Sequence, residues 1–190
     1  MIDGCLKRKQ DNRGMSLVEI IIVVAIMSIF IGTVGYGLSM ISGKPAEECA
    51  QKLLSAIQHT RTITTGKQDT TITIFMDSEE RIVTKEVSVR LLDNDGNTTT
   101  EERESVVGAK GVAVICTMSD ETSTHTVEIT GGNRVELKFD RGSGALRSTR
   151  INDTDYGKVR TLLITISKGD TTRYITITPV TGKLELTTTP

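Results

Sequence analysis

The feature that most constrains this chain is an apolar run near its N-terminus. Between Leu17 and Ile41 the only charged residue is Glu19. A helix needs about 20 apolar residues to cross a bilayer, so the run is long enough. The residues before it carry four basic and two acidic side chains, and Lys or Arg beside a first membrane segment keeps that end in the cytoplasm. We therefore expect a single-pass protein of the cytoplasmic (inner) membrane, with the remainder of the chain outside.

Three interpretations of this run compete. A secretory signal peptide would end at small residues of the Ala-x-Ala kind, but the sequence here reads Gly35-Tyr36-Gly37-Leu38-Ser39. A plain membrane anchor explains the length but not Glu19, since a carboxylate in hydrocarbon costs about 2.5–3.5 kcal/mol on insertion scales. The third interpretation is a signal whose apolar part is retained after cleavage. Ser16-x-x-Glu19 also fits a helix capping box. A capping box alone would not explain the four basic residues that precede the apolar run.

The residues Gly14-Met15-Ser16-Leu17-Val18-Glu19 resemble the type III signal of type IV pilins and type II secretion pseudopilins. The resemblance implies that a prepilin peptidase and methyltransferase cuts after Gly14 and methylates the new N-terminus at Met15. It also implies that the apolar helix is kept for assembly, and that Glu19 faces the N-terminal amine of a neighbouring subunit. Opposite charges attract strongly in a low dielectric, and each is costly there if left alone.

This resemblance predicts a division of the chain into three parts. Residues 1–14 are a cleaved leader, 15–43 a hydrophobic transmembrane and assembly helix, and 44–190 a periplasmic or extracellular globular domain. The implied partners are the prepilin peptidase, other pilin or pseudopilin subunits, and an inner-membrane assembly platform. The implied function is structural, as a minor subunit of a type IV pilus or of a type II secretion pseudopilus.

The apolar run is followed by an amphipathic stretch. Ser42-Gly43-Lys44-Pro45 interrupts the pattern, and Pro either starts a helix or kinks a continuous one. Beyond it, apolar residues recur at a helical period, which indicates one buried face; they are Cys49, Ala50, Leu53, Leu54 and Ile57. We predict that residues 45–65 are the second half of the same long helix and that it ends near Gly66.

From Thr70 onward, Thr, Val and Ile alternate between turn residues, as is typical of strands. The predicted strands are 70–76, 81–92, 103–107, 111–118, 124–130, 133–140, 160–168, 171–178 and 183–187. Asp93-Asn94-Asp95-Gly96 and Lys168-Gly169-Asp170 predict hairpin turns, and 141–159 is predicted to be a loop. The expected fold is α+β, a pilin fold in which the long helix, with its transmembrane and amphipathic halves, packs on an antiparallel β-sheet.

Four segments of the chain carry a narrower resemblance, to H-type minor pseudopilins and FimT-like minor pilins. They are Leu53–Arg61, Thr71–Ile74, Phe139–Gly144 and Ile175–Lys183. Major type IV pilins commonly close a C-terminal loop with a disulfide, but no Cys follows Cys116. We predict that Cys49 and Cys116 are small buried hydrophobic residues, with one disulfide between them as the alternative.

The sequence contains no pattern that indicates catalysis. His59 and His125 have no partner at metal-ligand spacing, and the nucleophile, metalloprotease and dinucleotide motifs are absent. Asp93–Asn97 and Asn152–Asp155 are acidic enough to suggest calcium, yet both are better explained as turns. We therefore expect no enzyme, no metal site and no cofactor.

The remaining alternative is DNA binding during DNA uptake. Residues 131–190 carry ten basic and six acidic side chains, whereas 15–130 carry nine basic and sixteen acidic. The candidate DNA contacts cluster around the predicted loop and are Arg141, Arg147, Arg150, Lys158 and Arg160. Some FimT-like pilins bind DNA through a Gly-Arg-x-Arg motif. The similar residues here, Gly182-Lys183-Leu184-Glu185, end in an acid, so DNA is expected to be the less favoured partner.

Overall fold

The computed structural model describes residues 17–42, 44–66, 68–90 and 98–190. It divides the chain into two compact units, with the boundary between Ile41 and Ser42. Helix α1 (Leu17–Ser42) provides the described residues of the first unit. The second unit contains one helix and all of the described strands.

The helix of the second unit is α2 (Lys44–Thr65). Its strands are β1 (Asp69–Met76), β2 (Ile82–Arg90), β3 (Thr99–Gly108), β4 (Ala113–Ser119), β5 (Thr124–Glu128), β6 (Arg134–Phe139), β7 (Leu146–Ile151), β8 (Thr154–Asp155), β9 (Thr161–Lys168), β10 (Thr171–Thr178) and β11 (Lys183–Thr187). Each of the nine predicted strands overlaps one of these. The amphipathic helix predicted at 45–65 is also confirmed.

The strands form two antiparallel sheets. The first sheet has the order β3-β2-β1-β6-β7-β8 and the second has the order β11-β10-β9-β4-β5. Side chains alternate between the faces of a strand, and β1, β4, β6 and β9 each bury every second residue. Each sheet therefore has one apolar face, and both faces contribute to the same core.

Helix α2 contacts strands of both sheets. Its buried face carries Ala46, Cys49, Ala50, Leu53 and Ile57, all fully buried. Burying a Leu or Ile side chain contributes about 1.5–3 kcal/mol. These buried side chains therefore supply a large part of the free energy that holds α2 on the two sheets. The helix ends where the Gly66 amide donates to the carbonyls of Thr62 and Ile63 at 3.1 and 3.0 Å.

The prediction of one long N-terminal helix on a single antiparallel sheet is wrong. The described residues form two helices, α1 and α2, and Pro45 lies in the first turn of α2. Its ring nitrogen cannot donate the hydrogen bond that a continuous helix would require there. Within the described ranges, none of the helices combines the length and the apolarity needed to cross a membrane.

The single predicted sheet is two sheets because strands adjacent in sequence do not always pair. β3 is followed by β4, yet β3 pairs with β2 whereas β4 pairs with β5 and β9. Amphipathic alternation identifies a strand and its buried face, but it carries no information on which strand lies beside it. Two sheets allow both sets of apolar faces to be covered.

The predicted loop at 141–159 is also wrong in part, because it contains β7 and β8. Along β7, Leu146 and Thr149 are buried while Arg147 and Arg150 are exposed, so the alternation of period two is broken. The break follows from a register irregularity where β7 meets β6 at Lys138 and Phe139. An extra residue in one strand of a pair shifts the face that each later side chain occupies.

The two turn predictions differ in outcome. Lys168-Gly169-Asp170 connects the antiparallel pair β9 and β10, and Gly169 has φ +57°, so this hairpin is confirmed. Asp93-Asn94-Asp95-Gly96 lies outside the described residues. Cys49 and Cys116 are free and buried, which confirms the prediction that they are small hydrophobic residues of the core.

Candidate functional site

The N-terminal helix presents an exposed apolar surface. Ten large apolar side chains between Leu17 and Ile29 are 43–74% exposed. Glu19 lies in the first turn of α1, where a carboxylate is favoured by the unpaired amides of a helix start. A helix that is apolar on every side needs a cover, and an exposed apolar surface of this size marks an interaction site.

The predicted cleavage and methylation positions, Gly14 and Met15, lie outside the described residues. Their roles therefore stay predictions. Met15 precedes Glu19 by four residues in the sequence, so cleavage after Gly14 would create an amine and leave the carboxylate nearby in the same short segment. These two charges are the chemically distinctive groups of an otherwise apolar stretch.

The five candidate DNA contacts do not form one uncompensated patch. Arg150 lies on β7, with guanidinium nitrogens 3.6 Å from Glu136 Oε1 and 3.5 Å from Asp155 Oδ2. Arg160 lies beside the second sheet and its Nη2 is 2.6 Å from Glu121 Oε1. Carboxylates therefore already compensate these two cations.

The other three are spread along the chain. Arg141 lies in the turn after β6, Arg147 is exposed on β7, and Lys158 lies between β8 and β9. The Gly-Lys-x-Glu stretch is compensated as well, since Lys183 Nζ is 2.5 Å from Glu185 Oε1. The excess of positive charge counted in the sequence is thus larger than the excess that the surface presents.

A polar cluster that the sequence did not indicate lies beneath α2. The Glu86 side chain is only 9% exposed. Thr60 Oγ1 donates to its Oε1 at 2.6 Å, and His59 Nδ1 lies 3.1 Å from its Oε2. An ionised carboxylate can only accept hydrogen bonds, so Nδ1 carries the proton. The cluster joins α2 to β2 and satisfies a carboxylate that would be costly to bury alone.

This cluster borders a groove of about 340 Å³ between α2 and β3. Lys52 and His59 line it from the helix, and Arg103 lies opposite Glu86 in the register of β2 and β3. His59 therefore holds α2 to β2 through its contact with Glu86. The inward face of β2 carries Thr84, Glu86 and Ser88. Because these buried residues are polar, the sequence pattern does not identify this face as buried.

His125 belongs to a turn network. Its Nε2 lies 3.0 Å from Ser123 Oγ, and Ser123 Oγ donates to Asp120 Oδ2 at 2.9 Å. In a serine triad the His lies between the Ser and the Asp, whereas here the Ser lies between the other two. Because the Ser proton is directed at Asp120, His125 donates to Ser123 and is not placed to act as its base.

The acidic stretch Asn152–Asp155 contains the turn between β7 and β8, with Ile151 opposite Thr154. Asn152 has φ +54°, and its Oδ1 accepts the Arg134 amide at 2.9 Å. These features are those of a tight hairpin turn. Among the described residues, no three His, Cys, Asp or Glu side chains lie close enough together to hold a metal ion.

The chain was compared with protein families, with curated proteins and with solved structures. A family model for the prokaryotic N-terminal methylation motif matches residues 9–35. The matched residues include Gly14, Met15 and Glu19 and extend into α1. Neither a curated protein nor a solved structure matches the chain.

The family match supports a type IV pilin-like signal at the N-terminus of this chain. It supports processing by a prepilin peptidase and assembly with other pilins. The motif also indicates a protein that is first anchored to a membrane and afterwards associated with a filament. The exposed apolar surface of α1 is the part of the described structure that suits such an assembly.

Proposed function

We propose that this protein is a structural minor subunit of a type IV pilus or a type II secretion pseudopilus. The observation that carries the proposal is the apolar surface of α1, with ten large side chains 43% or more exposed, all of them within the residues that match the methylation motif. Packing of these surfaces between neighbouring subunits would remove them from water at about 25 cal/mol per Å². The protein acts in this role by assembly and not by catalysis.

The two charges at the start of the mature chain would control assembly. Cleavage after Gly14 creates the Met15 amine, which the peptidase then methylates. Glu19, exposed in the first turn of α1, pairs with the Met15 amine of the next subunit. Because each charge is costly in an apolar environment until it is paired, the pair favours the assembled state and sets the axial position of the subunits.

In this proposal the precursor is held at the inner membrane with its leader inside. The second unit, Ser42–Pro190, lies in the periplasm or outside the cell. An assembly platform moves the processed subunit into the filament. The resemblance of Leu53–Arg61 and Phe139–Gly144 to minor pseudopilins and minor pilins supports the assignment as a minor subunit.

The test separates processing from assembly. We expect Glu19→Ala to be cut and methylated at Met15 like the wild type, as read by intact mass, but to be depleted at least tenfold from the sheared filament fraction. Glu19→Asp, which keeps the charge, should retain more incorporation than Glu19→Ala. Normal incorporation of Glu19→Ala would refute the charge pairing. A wild-type chain that still begins at Met1 when the peptidase is present would refute the assignment itself.

A further inference from the structure

The outer faces of the two sheets differ in charge. On the outer face of the first sheet, Lys85 Nζ lies 2.7 Å from Glu102 Oε2 and 3.8 Å from Glu104 Oε1. In the second sheet, twelve residues of the three inner strands β10, β9 and β4 point away from the core, and none of the twelve is charged. They are Ala113, Ile115, Thr117, Ser119, Thr161, Leu163, Thr165, Ser167, Thr172, Tyr174, Thr176 and Thr178. We call these residues the uncharged face.

The composition of the uncharged face is that of an interface centre. Charged residues make up 25% of the chain, yet on this side of the second sheet they occur only on the two edge strands. These are Glu128 on β5 and Lys183 and Glu185 on β11. Protein–protein interfaces have the same arrangement, with a centre depleted in charge and enriched in Tyr inside a polar rim. Tyr174 belongs to this centre, where it lies opposite Thr165 of the middle strand β9.

The hydroxyl groups of this face make it complementary to itself. Nine of the twelve side chains carry a hydroxyl, and those of Thr117 and Ser119 lie 3.2 and 3.0 Å from hydroxyls of β5. The other seven hydroxyls have no hydrogen-bond partner among the described residues. A hydroxyl both donates and accepts, whereas a carboxylate only accepts and an ammonium group only donates. An array of hydroxyls can therefore form hydrogen bonds with a second copy of the same array.

The area of the second sheet is sufficient for a specific contact. The sheet is five strands wide, and its strand β4 is seven residues long. At about 4.8 Å between strands and about 3.3 Å per residue, its outer side covers about 500 Å². Two such surfaces would together bury about 1,000 Å², which is the lower limit for a specific protein–protein interface. A second copy of the sheet therefore matches the face in size as well as in chemistry.

We propose that the uncharged face of one copy packs against the same face of a second copy. The same residues take part on both sides, so the contact is isologous and has a two-fold axis near the middle strand β9. Packing against the first sheet instead would bury Lys85 and its partner carboxylates, whose removal from water is costly. The inference goes beyond the proposed function, in which subunits meet through α1, because it pairs two subunits through their second units.

Cysteine cross-linking tests this contact in membranes of cells that express the full-length chain. Thr165→Cys is on the middle strand β9, so an isologous contact places it near the same residue of the second copy. The reagent is a bismaleimide that spans about 10 Å, the spacing of packed sheets. Cys5 is replaced by Ala in every variant, and the native Cys49 and Cys116 are buried. Thr73→Cys is the matched control, because Thr73 is a partly exposed threonine on the outer face of the first sheet.

We expect Thr165→Cys to give at least ten times more cross-linked homodimer than Thr73→Cys. Thr176→Lys, added to Thr165→Cys, should lower the dimer yield at least tenfold, because the new charge would be buried in the contact. Thr71→Lys, on the outer face of the first sheet, should leave the yield unchanged. Equal cross-linking of the two cysteine variants, or an unchanged yield with Thr176→Lys, would overturn the proposal.

Two further measurements identify the partner and the state of the fold. Mass spectrometry of the cross-linked product should show two copies of this chain, and a cross-link from Thr165→Cys to a different protein would contradict a second copy as the partner. Variants are compared only where Cys49 and Cys116 stay protected from alkylation, and Leu163→Cys, on the same face, replaces Thr165→Cys if the latter does not fold. Filaments without the specific dimer overturn the face-to-face contact and leave the proposed function intact.

Discussion

At the scale of single residues, Gly182 leaves the least room for a side chain among the glycines that the structure describes. It has φ +65°, and a Cβ atom there would collide with the Gly144 carbonyl oxygen. Gly144 also has a positive φ, of +68°, and approaches the Arg61 side chain. The turn beside Val180 and the turn after β6 therefore meet backbone to backbone, where a side chain does not fit.

Gly182→Ala should lower the free energy of unfolding by about 3 kcal/mol or more, because the left-handed backbone strain of about 1–3 kcal/mol adds to the displacement of Gly144. Gly157→Ala is the matched control, since Gly157 has φ +59° and open space around its Cβ position. The control should cost about 1–2 kcal/mol. Urea unfolding of the detergent-solubilised chain measures both. If both variants lost the same free energy of unfolding, the close contact between Gly182 and Gly144 would make no contribution to stability.

Asp120 should make stability depend on acid. Its carboxylate accepts the amides of Thr122 and Ser123, each at 2.7 Å, and these hydrogen bonds lower its pKa from 3.8 to about 2. A lowered folded-state pKa stabilises the folded form above pH 3.8, and this contribution is lost as the pH falls from 3.8 towards 2.

Asp120→Asn should therefore be less stable than the wild type at pH 5, and the difference should shrink as the pH approaches 2. Thermal unfolding of both proteins between these values measures the effect. A difference that stays constant over this range would show that the carboxylate charge makes no contribution through these hydrogen bonds.

At the scale of elements, α2 organises the second unit through one side chain in addition to its apolar face. Arg61 Nε donates to the Gly144 carbonyl at 3.0 Å while its Nη2 donates to Thr181. One guanidinium thus joins the helix to two turns that are far away in sequence. Hydrogen bonds from charged groups contribute about 1.5–3 kcal/mol each, so this contact is substantial.

Arg61→Ala should cost about 2–4 kcal/mol on this basis and should loosen the two turns. Hydrogen exchange of the Leu146 and Gly182 amides, which bond within this region, should become at least tenfold faster. Lys52→Ala is the control, because Lys52 is on the same helix in an exposed ion pair of 3.9 Å with Glu48. The role assigned to Arg61 would be wrong if both variants behaved alike.

Also at this scale, sequence patterns predicted α2 and nine strands but not β7 and β8. A strand is recognised by alternation along its own residues, and in β7 a register irregularity interrupts that alternation. The Glu86 cluster was missed for a related reason. Thr60 and Glu86 are far apart in sequence, and nothing near either residue shows that they meet at 2.6 Å.

At the scale of the whole molecule, the second unit behaves as one core. Cys49 from α2 and Cys116 from β4 belong to the same buried cluster. Burial raises the pKa of each thiol to about 12. A thiol reacts as the thiolate, so both side chains should react only when the unit opens.

Iodoacetamide at pH 8 should therefore modify the processed chain slowly, and both thiols should react quickly once urea unfolds it. Mass spectrometry counts the modified cysteines against time. Gln51→Cys, exposed on the same helix as Cys49, should react at once without urea and serves as the control. Rapid modification of native Cys116 would contradict a single closed core.

The sequence by itself determined the features that depend on neighbouring residues. These are the apolar run with its single charge at Glu19, the methylation motif, the amphipathic helix ending at Gly66, and the alternating strands. They follow from periods of 3.6 and 2 residues and from the backbone limits of Gly and Pro. Only the tertiary structure decided the division into two sheets, the burial of Glu86 and the contacts of Arg61. These depend on residues brought together from distant parts of the chain, and local periodicity leaves such pairings open.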